Sequence, residues 1–269
     1  MAKKTFVVLM IVSMLVMMVP CMVGAQEQTL VGELQGPTIV SNPEQFPTEF
    51  KEAPMLAEMV SAGTLPPVEE RLPARDSLLV LKPLDSIGKY GGTWRRGFTG
   101  ATDGENGNRI VSSDKPLFWD YTGTQIVPSL VKDYEMSDDC KTTTLCLRNG
   151  LKWSDGEPMN ADDWIFGYED IYGKRGIMAS PLPDMSVNGK EGKMVKVDEY
   201  TVRFEFPDSY CLFGEILAGS TLLGGGQATR QSRGSMGGAY APAHYLKQFH
   251  PKYVSEEELT KMATDAGYD

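Results

Sequence analysis

Apolar positions along the chain fall into runs with different periods, and each period predicts a different element. Phe6–Val19 is apolar but for Ser13. Gln26–Phe50 is polar, Pro-spaced and without period, which predicts a tether or poorly ordered arm. Lys51–Ala62 predicts a short helix: Met55, Leu56, Met59 and Val60 share a face, Pro54 suits the first turn and Gly63 the stop. Leu65–Asp76 (LPPVEERLPARD) predicts an extended connector, and Ser77–Leu81 a short apolar strand. Ile87–Phe98 (IGKYGGTWRRGF) predicts Gly turns leading into a strand through Trp94, and Ala101–Asn108 a polar loop.

Alternation with period two marks Thr142–Arg148. There Thr142, Thr144 and Cys146 face one side, and Thr143, Leu145 and Leu147 the other. Asn149-Gly150 is a tight-turn pair. Met194–Phe206 predicts a hairpin turning at Asp198-Glu199. Val202, Phe204 and Phe206 share one face of its second strand, and Pro207 ends it. Ala218–Ala239 is Gly-rich, lacks the Gly-Lys-Ser/Thr of a phosphate loop, and predicts a flexible surface loop. Ser255–Ala266 predicts a last helix, with a capping box from Ser255 and Glu258 and a stop at Gly267.

Leu147–Ile171 (LRNGLKWSDGEPMNADDWIFGYEDI) concentrates carboxylates in a short space. Asn160 precedes a helical stripe of Trp164, Ile165, Tyr168, Ile171 and Tyr172, so it is the N-cap, and Asp163 sits where the reciprocal cap belongs. Asp162 and Asp163 fall in the first turn, where the helix dipole favours them. Ser154-Asp155-Gly156 is a turn, and Glu169 and Asp170 lie on or beside the polar face. Each carboxylate has a structural role. A glycosidase needs two acids facing each other across a sugar, which neighbours on one helical turn do not supply.

Composition sharpens this picture. The net charge of -10 disfavours nucleic acid as a partner. Lys3 and Lys4, the apolar run and Val23-Gly24-Ala25 predict a signal peptide over residues 1–25, cleaved after Ala25. Cys21 offers lipid attachment as a second route, which Pro20 directly before it disfavours. Cys140, Cys146 and Cys211 then remain. An odd number cannot all pair, no C-x-x-C exists and His is scarce, so the expectation is small semi-buried fillers and no metal or cofactor.

Val127–Tyr168 carries, in order, Tyr134-Glu135, the strand ending Leu147-Arg148, Lys152-Trp153-Ser154-Asp155-Gly156-Glu157-Pro158 and Ala161-Asp162-Asp163. Val197–Phe206 (VDEYTVRFEF) and Tyr240–Leu246 (YAPAHYL) follow. This series resembles the family 5 extracellular solute-binding proteins, the oligopeptide-, dipeptide- and nickel-type components of ABC importers, from about Lys51 onward. Cys140 stands where that pattern usually has a turn Gly. The resemblance implies a mixed α/β (α+β) fold, a type II periplasmic-binding-protein lobe with an inserted α+β domain. On that expectation the chain divides into signal peptide (1–25), N-terminal arm (26–76), base domain (77–111, resumed at 218–269) and inserted domain (112–217). It is expected to stop before a second lobe, as an N-terminal fragment. The implied function is non-enzymatic capture of a peptide or other small polar solute outside the cytoplasmic membrane, for an ABC permease, by a monomer. The implied ligand contacts are Thr99, Asp103, Glu105, Asn106 and Asn108, with a merely solvated loop as the alternative. Trp153, Ser154, Asp155, Gly156, Asn160 and Asp163 are expected to be structural. Two rival classes are a secreted carbohydrate-active enzyme or glycan binder, with Trp94, Trp119, Trp153 and Trp164 stacking sugars, and a surface interaction protein.

Overall fold

The computed structural model describes residues 35–95, 97, 99–100, 114–172, 177, 182–219, 221–225, 229–230, 236–268. The expected signal peptide and Cys21 lie outside them. Contacts separate Met1–Gln35 from Gly36–Asp269.

Gly36–Phe50, the later part of the stretch expected to be a tether, is built into the fold. β1 (Thr38–Val40) pairs antiparallel with β2 (Val80–Lys82), Ile39 opposite Leu81. Between them run a 3-10 turn at Pro43–Gln45, α1 (Pro54–Ser61), α2 (Val68–Arg71) and a second 3-10 turn at Arg75–Ser77. The connector expected to be extended is therefore partly helical. Long-range ties invisible to a local pattern hold it. Arg71 pairs with Glu52, Arg75 donates to the Phe46 carbonyl at 3.0 Å, and Phe46 itself is buried. The strand expected at Ser77–Leu81 starts later, because Ser77 is buried in the 3-10 turn. α1 starts at Pro54, later than the expected Lys51, with Gly63 at φ 71 beyond its end, and none of its residues is buried. Beyond β2, Gly91 and Gly92 take positive φ, but the expected strand through Trp94 does not form. Among the described residues no strand lies beside it to accept its backbone hydrogen bonds.

β3 (Leu117–Trp119) and β4 (Ile126–Pro128) make a hairpin leading to β5 (Val131–Met136) and β6 (Thr142–Leu147). Next come α3 (Ala161–Phe166), extended by a π-helical turn at Gly167–Tyr172, and a small hairpin of β7 (Ser186–Val187) and β8 (Lys190–Glu191). β9 (Lys193–Asp198) and β10 (Thr201–Glu205) form the predicted hairpin and complete an antiparallel sheet in the order β5-β6-β10-β9. The alternation read from sequence holds: Thr143, Leu145, Leu147, Val202, Phe204 and Phe206 are buried, while Thr142, Thr144 and Cys146 lie on the other face. The buried face carries the core together with Trp164 and with Phe213 and Leu217 of α4 (Phe213–Ala218). Phe213 meets the rings of Phe204 and Phe206 at 4.8 and 4.7 Å, offset edge arrangements that aromatic quadrupoles favour.

Two of the three remaining cysteines are not fillers. Cys140, at φ 56 in the β5–β6 turn, is disulfide-bonded to Cys211, just before α4, and only Cys146 is free. The turn folds back on this segment, Tyr210 donating to the Cys140 carbonyl and Phe206 to that of Lys141, both at 2.8 Å.

The Gly-rich stretch also holds order. Leu223 is fully buried in a tight turn, and β11 (Thr229–Arg230) pairs with β12 (Met236–Gly237). The chain then returns through α5 (Ala243–Leu246) to α6 (Glu256–Asp265), which has the predicted Ser255/Glu258 capping box and Gly267 at φ 82.

The return segment crosses the helix at Gly167. A Cβ there would sit 3.0 Å from the Tyr240 Cα and 3.2 Å from the Ala241 nitrogen, backbone atoms that cannot swing aside. Gly167→Ala is expected to lower stability by about 1–3 kcal/mol, read as a shift in denaturant midpoint at unchanged slope.

Candidate functional site

The opening of α3 is built as its sequence predicts. Asn160 Oδ1 accepts the Asp162 N–H at 2.8 Å, and Asp163 Oδ2 accepts the Asn160 N–H at 3.1 Å. Asp162 is exposed and pairs with Lys196 at 2.7 Å. Asp163 does more than cap. It is 4% exposed, and it also accepts the Trp153 indole N–H at 3.1 Å and the Ala243 backbone N–H at 2.9 Å. Its own carbonyl accepts the Ala241 N–H at 3.1 Å. Burial raises the Asp163 carboxyl pKa, against the pull of these donors.

Asp155, in the turn after Trp153, accepts the Glu157 N–H at 3.2 Å and bonds His244 at 2.8 Å. The His244 contact holds its carboxyl below the ordinary value. The Trp153 ring lies 5.9 Å from Tyr240 and 6.2 Å from His244, and Trp164 lies 5.1 Å from Tyr240. The Trp-Ser-Asp-Gly-Glu turn and the Tyr-Ala-Pro-Ala-His segment, far apart in sequence, are thus one knot.

A second knot lies further along the same helix, where sequence reasoning put Asp170 at the polar face. Asp170 is 6% exposed, with its carboxylate on Lys252 at 2.7 Å and on the Tyr253 hydroxyl at 2.5 Å. Its carbonyl accepts the Nε2–H of buried His250 at 2.8 Å, and His250 Nδ1 accepts the Lys252 N–H at 3.1 Å. Burial pushes the Asp170 carboxyl up, but the Lys252 and Tyr253 contacts outweigh it and leave the pKa lowered. No local signal could have found this, because both partners lie on the return segment. Arg148 is buried as well. Its Nε donates to the Ser129 carbonyl at 3.0 Å and its Nη1 to that of Ser77 at 2.7 Å, tying the N-terminal elements to the sheet.

Of the expected ligand contacts, the described residues include only Thr99. Thr99 is exposed, and Asp103, Glu105, Asn106 and Asn108 lie outside the described residues. Trp164 is fully buried, Trp119 and Trp153 pack against the core, and Trp94 is 79% exposed. A cleft of about 350 Å³ is walled by Pro47, Phe50, Leu72 and Leu78 with Glu69 and Arg75, and none of the expected ligand residues lines it. Among the described residues no three metal-ligating side chains converge, and no helix is long and apolar enough to cross a membrane.

Two outcomes follow from the knots. Asp163→Asn presents an amide N–H₂ to donors that need an acceptor and is expected to cost about 1–3 kcal/mol. Asp155→Asn, on an exposed turn, is expected to cost less than Asp163→Asn; equal losses in chemical denaturation would contradict this ranking. The lowered Asp170 pKa means that its pair contributes stability above the ordinary aspartate value of 3.8, lost as pH falls through the folded value. Wild type is therefore expected to exceed Lys252→Met in melting temperature near neutral pH, with the gap closing in strong acid.

The sequence profile of the bacterial extracellular solute-binding proteins, family 5 (middle), matches residues 125–223. A periplasmic alpha-galactoside-binding protein of Rhizobium meliloti (strain 1021) is 30% identical over 229 residues, 77% of this chain and 30% of that protein. A solved oligopeptide-binding protein OppA is 38% identical with a TM-score of 0.65, over 80% of this chain and 30% of that one. The periplasmic binding protein MelB of Agrobacterium fabrum C58, solved with stachyose, is 25% identical with a TM-score of 0.52, over 84% of this chain and 34% of that one. The chain thus spans about a third of the length of these relatives and shares their mixed α/β periplasmic-binding-protein fold. With the capped helix, the Trp153 turn and the return segment knotted together within this fold, the chain belongs to family 5 of the bacterial extracellular solute-binding proteins, a family of binders rather than enzymes.

Proposed function

We propose that the chain is part of the solute-capturing component of an ABC importer and that its solute is a neutral oligosaccharide of the alpha-galactoside kind. The observation that carries the importer reading is the family match centred on a module whose carboxylates are taken up by structure. The sugar assignment rests on relatives. The alpha-galactoside binder aligns along 77% of the chain, and the stachyose complex along 84%. Side-chain chemistry agrees with it. Trp94, 79% exposed, offers an open indole face on which a sugar ring can stack. Thr99, Asp103, Glu105, Asn106 and Asn108 are hydroxyl, carboxylate and amide groups suited to sugar hydroxyls. A peptide is the second reading, favoured by the 38% identity to the protein named for oligopeptides. We further propose that residues 77–111 and 218–269 form a base domain around an inserted 112–217, and that the partner is a membrane permease.

Titration of the exported protein with stachyose and with a tripeptide, read by heat and by tryptophan fluorescence, separates the solutes. Stachyose is expected to bind and the tripeptide not. Trp94→Ala is expected to weaken the sugar about tenfold, the scale of one aromatic contact. Tripeptide binding without a stachyose response would overturn the sugar assignment and leave the importer reading standing; binding of neither solute would remove the support for both.

A further inference from the structure

We propose that the Cys140–Cys211 bridge is closed by thiol–disulfide exchange entering at Cys211, with Cys140 as the resolving thiol and Cys146 excluded from pairing. The two bridged positions are unlike. Cys211 is exposed, ahead of the first turn of α4. Cys140 is half-buried at φ 56, with its N–H on the Ser137 carbonyl and its carbonyl on the Tyr210 N–H, both at 2.8 Å. Its position is held by these backbone hydrogen bonds as well as by the sulfur bond, and the Cα atoms of the pair stand 4.8 Å apart, within reach of a disulfide. An incoming disulfide meets the outer sulfur first.

Cys146 is also exposed, but it lies near the far end of β6. At roughly 3.3 Å per strand residue it is about 13 Å from Thr142, where the strand leaves the turn that holds Cys140, against a limit of about 7 Å for bridging. Cys211, beside Cys140, is out of its range as well. Partial burial and the carboxylates of Asp133 and Asp198 also push the Cys146 thiol up, which lowers its thiolate fraction. The folded hairpin therefore selects the correct pair from three thiols.

The exchange balances. The Cys211 thiolate attacks one sulfur of a small or protein disulfide, forms a mixed disulfide and releases one thiolate. The Cys140 thiolate then attacks Cys211 Sγ, closes the bridge and expels the second thiolate. Two electrons pass from the chain's thiols to the incoming disulfide, and the released thiolates take up the two protons. The oxidant is a disulfide of the glutathione or oxidoreductase class, which suits a family that works outside the cytoplasm.

The exported protein, cleaved after Ala25 and so without Cys21, is reduced, freed of reductant, exposed to oxidised glutathione, quenched in acid at intervals and mapped by peptide mass spectrometry. The expected result is that Cys140→Ser accumulates one glutathione on Cys211, that Cys211→Ser reacts at Cys140 at least about tenfold more slowly, and that Cys146→Ser closes the bridge at the wild-type rate. Early quenched wild type, which needs no substitution to fold, is expected to carry its glutathione on Cys211. Early adducts on Cys140, or a disulfide that includes Cys146, would overturn the proposal.

Discussion

A carboxylate taken out of water must recover its lost hydration from fixed donors, and Asp163 recovers it from three parts of the chain at once. Asn160 supplies the N-cap N–H, Trp153 an indole N–H and Ala243 a backbone N–H. A local cap would have served the helix alone. Because the other two donors come from the signature turn and from the return segment, the charge is satisfied only when all three pieces are in place. Gly167 allows the return segment to come that close, and Asp170 repeats the arrangement further along with Lys252 and Tyr253. The helix that looks in sequence like a carrier of acids is a post to which the returning chain is fastened twice.

Period-two alternation and caps were legible because they act between neighbours. The buried stripe of β6 and β10, the Asn160 cap, the Ser255 box and the turns at Gly150 and Gly267 all follow from residues within a few positions of one another. What stayed hidden depends on partners far away in sequence. Asp170 has an exposed-looking polar context, and only residues some eighty positions later bury it. The Pro-spaced arm carries no period, yet Thr38–Val40 finds Val80–Lys82, and Arg75 fastens it through a backbone carbonyl. The cysteine pair depended on which turn folds back over which strand, and a count of three thiols does not contain that information.

The candidate ligand residues show the reverse case. Only Thr99 among them is described, and the sequence around them offers turn pairs such as Asn106-Gly107 but no alternating or helical stripe that would fix a neighbour. Trp94 was expected inside a strand and is instead exposed after two glycines at positive φ. An extended segment becomes a strand only when a neighbour accepts its hydrogen bonds, and none of the described strands does so here. Local sequence set the turn, while the strand required a partner.

The most recognisable stretch of the chain is held by contacts of its own. Trp153, Asp155 and Asp163 have their polar atoms committed to each other and to residues 240–244. Asp163 is the buried member, and turning it away would leave the Ala243 N–H and the Trp153 indole N–H unpaired, at about 1–3 kcal/mol for each neutral group. Under the proposed reading, selection of a solute falls to side chains outside this framework, on the segments that it holds at their ends. The framework's own contacts are complete without a solute, so under that reading a change of solute asks for different groups on those segments and not for a change in the knot.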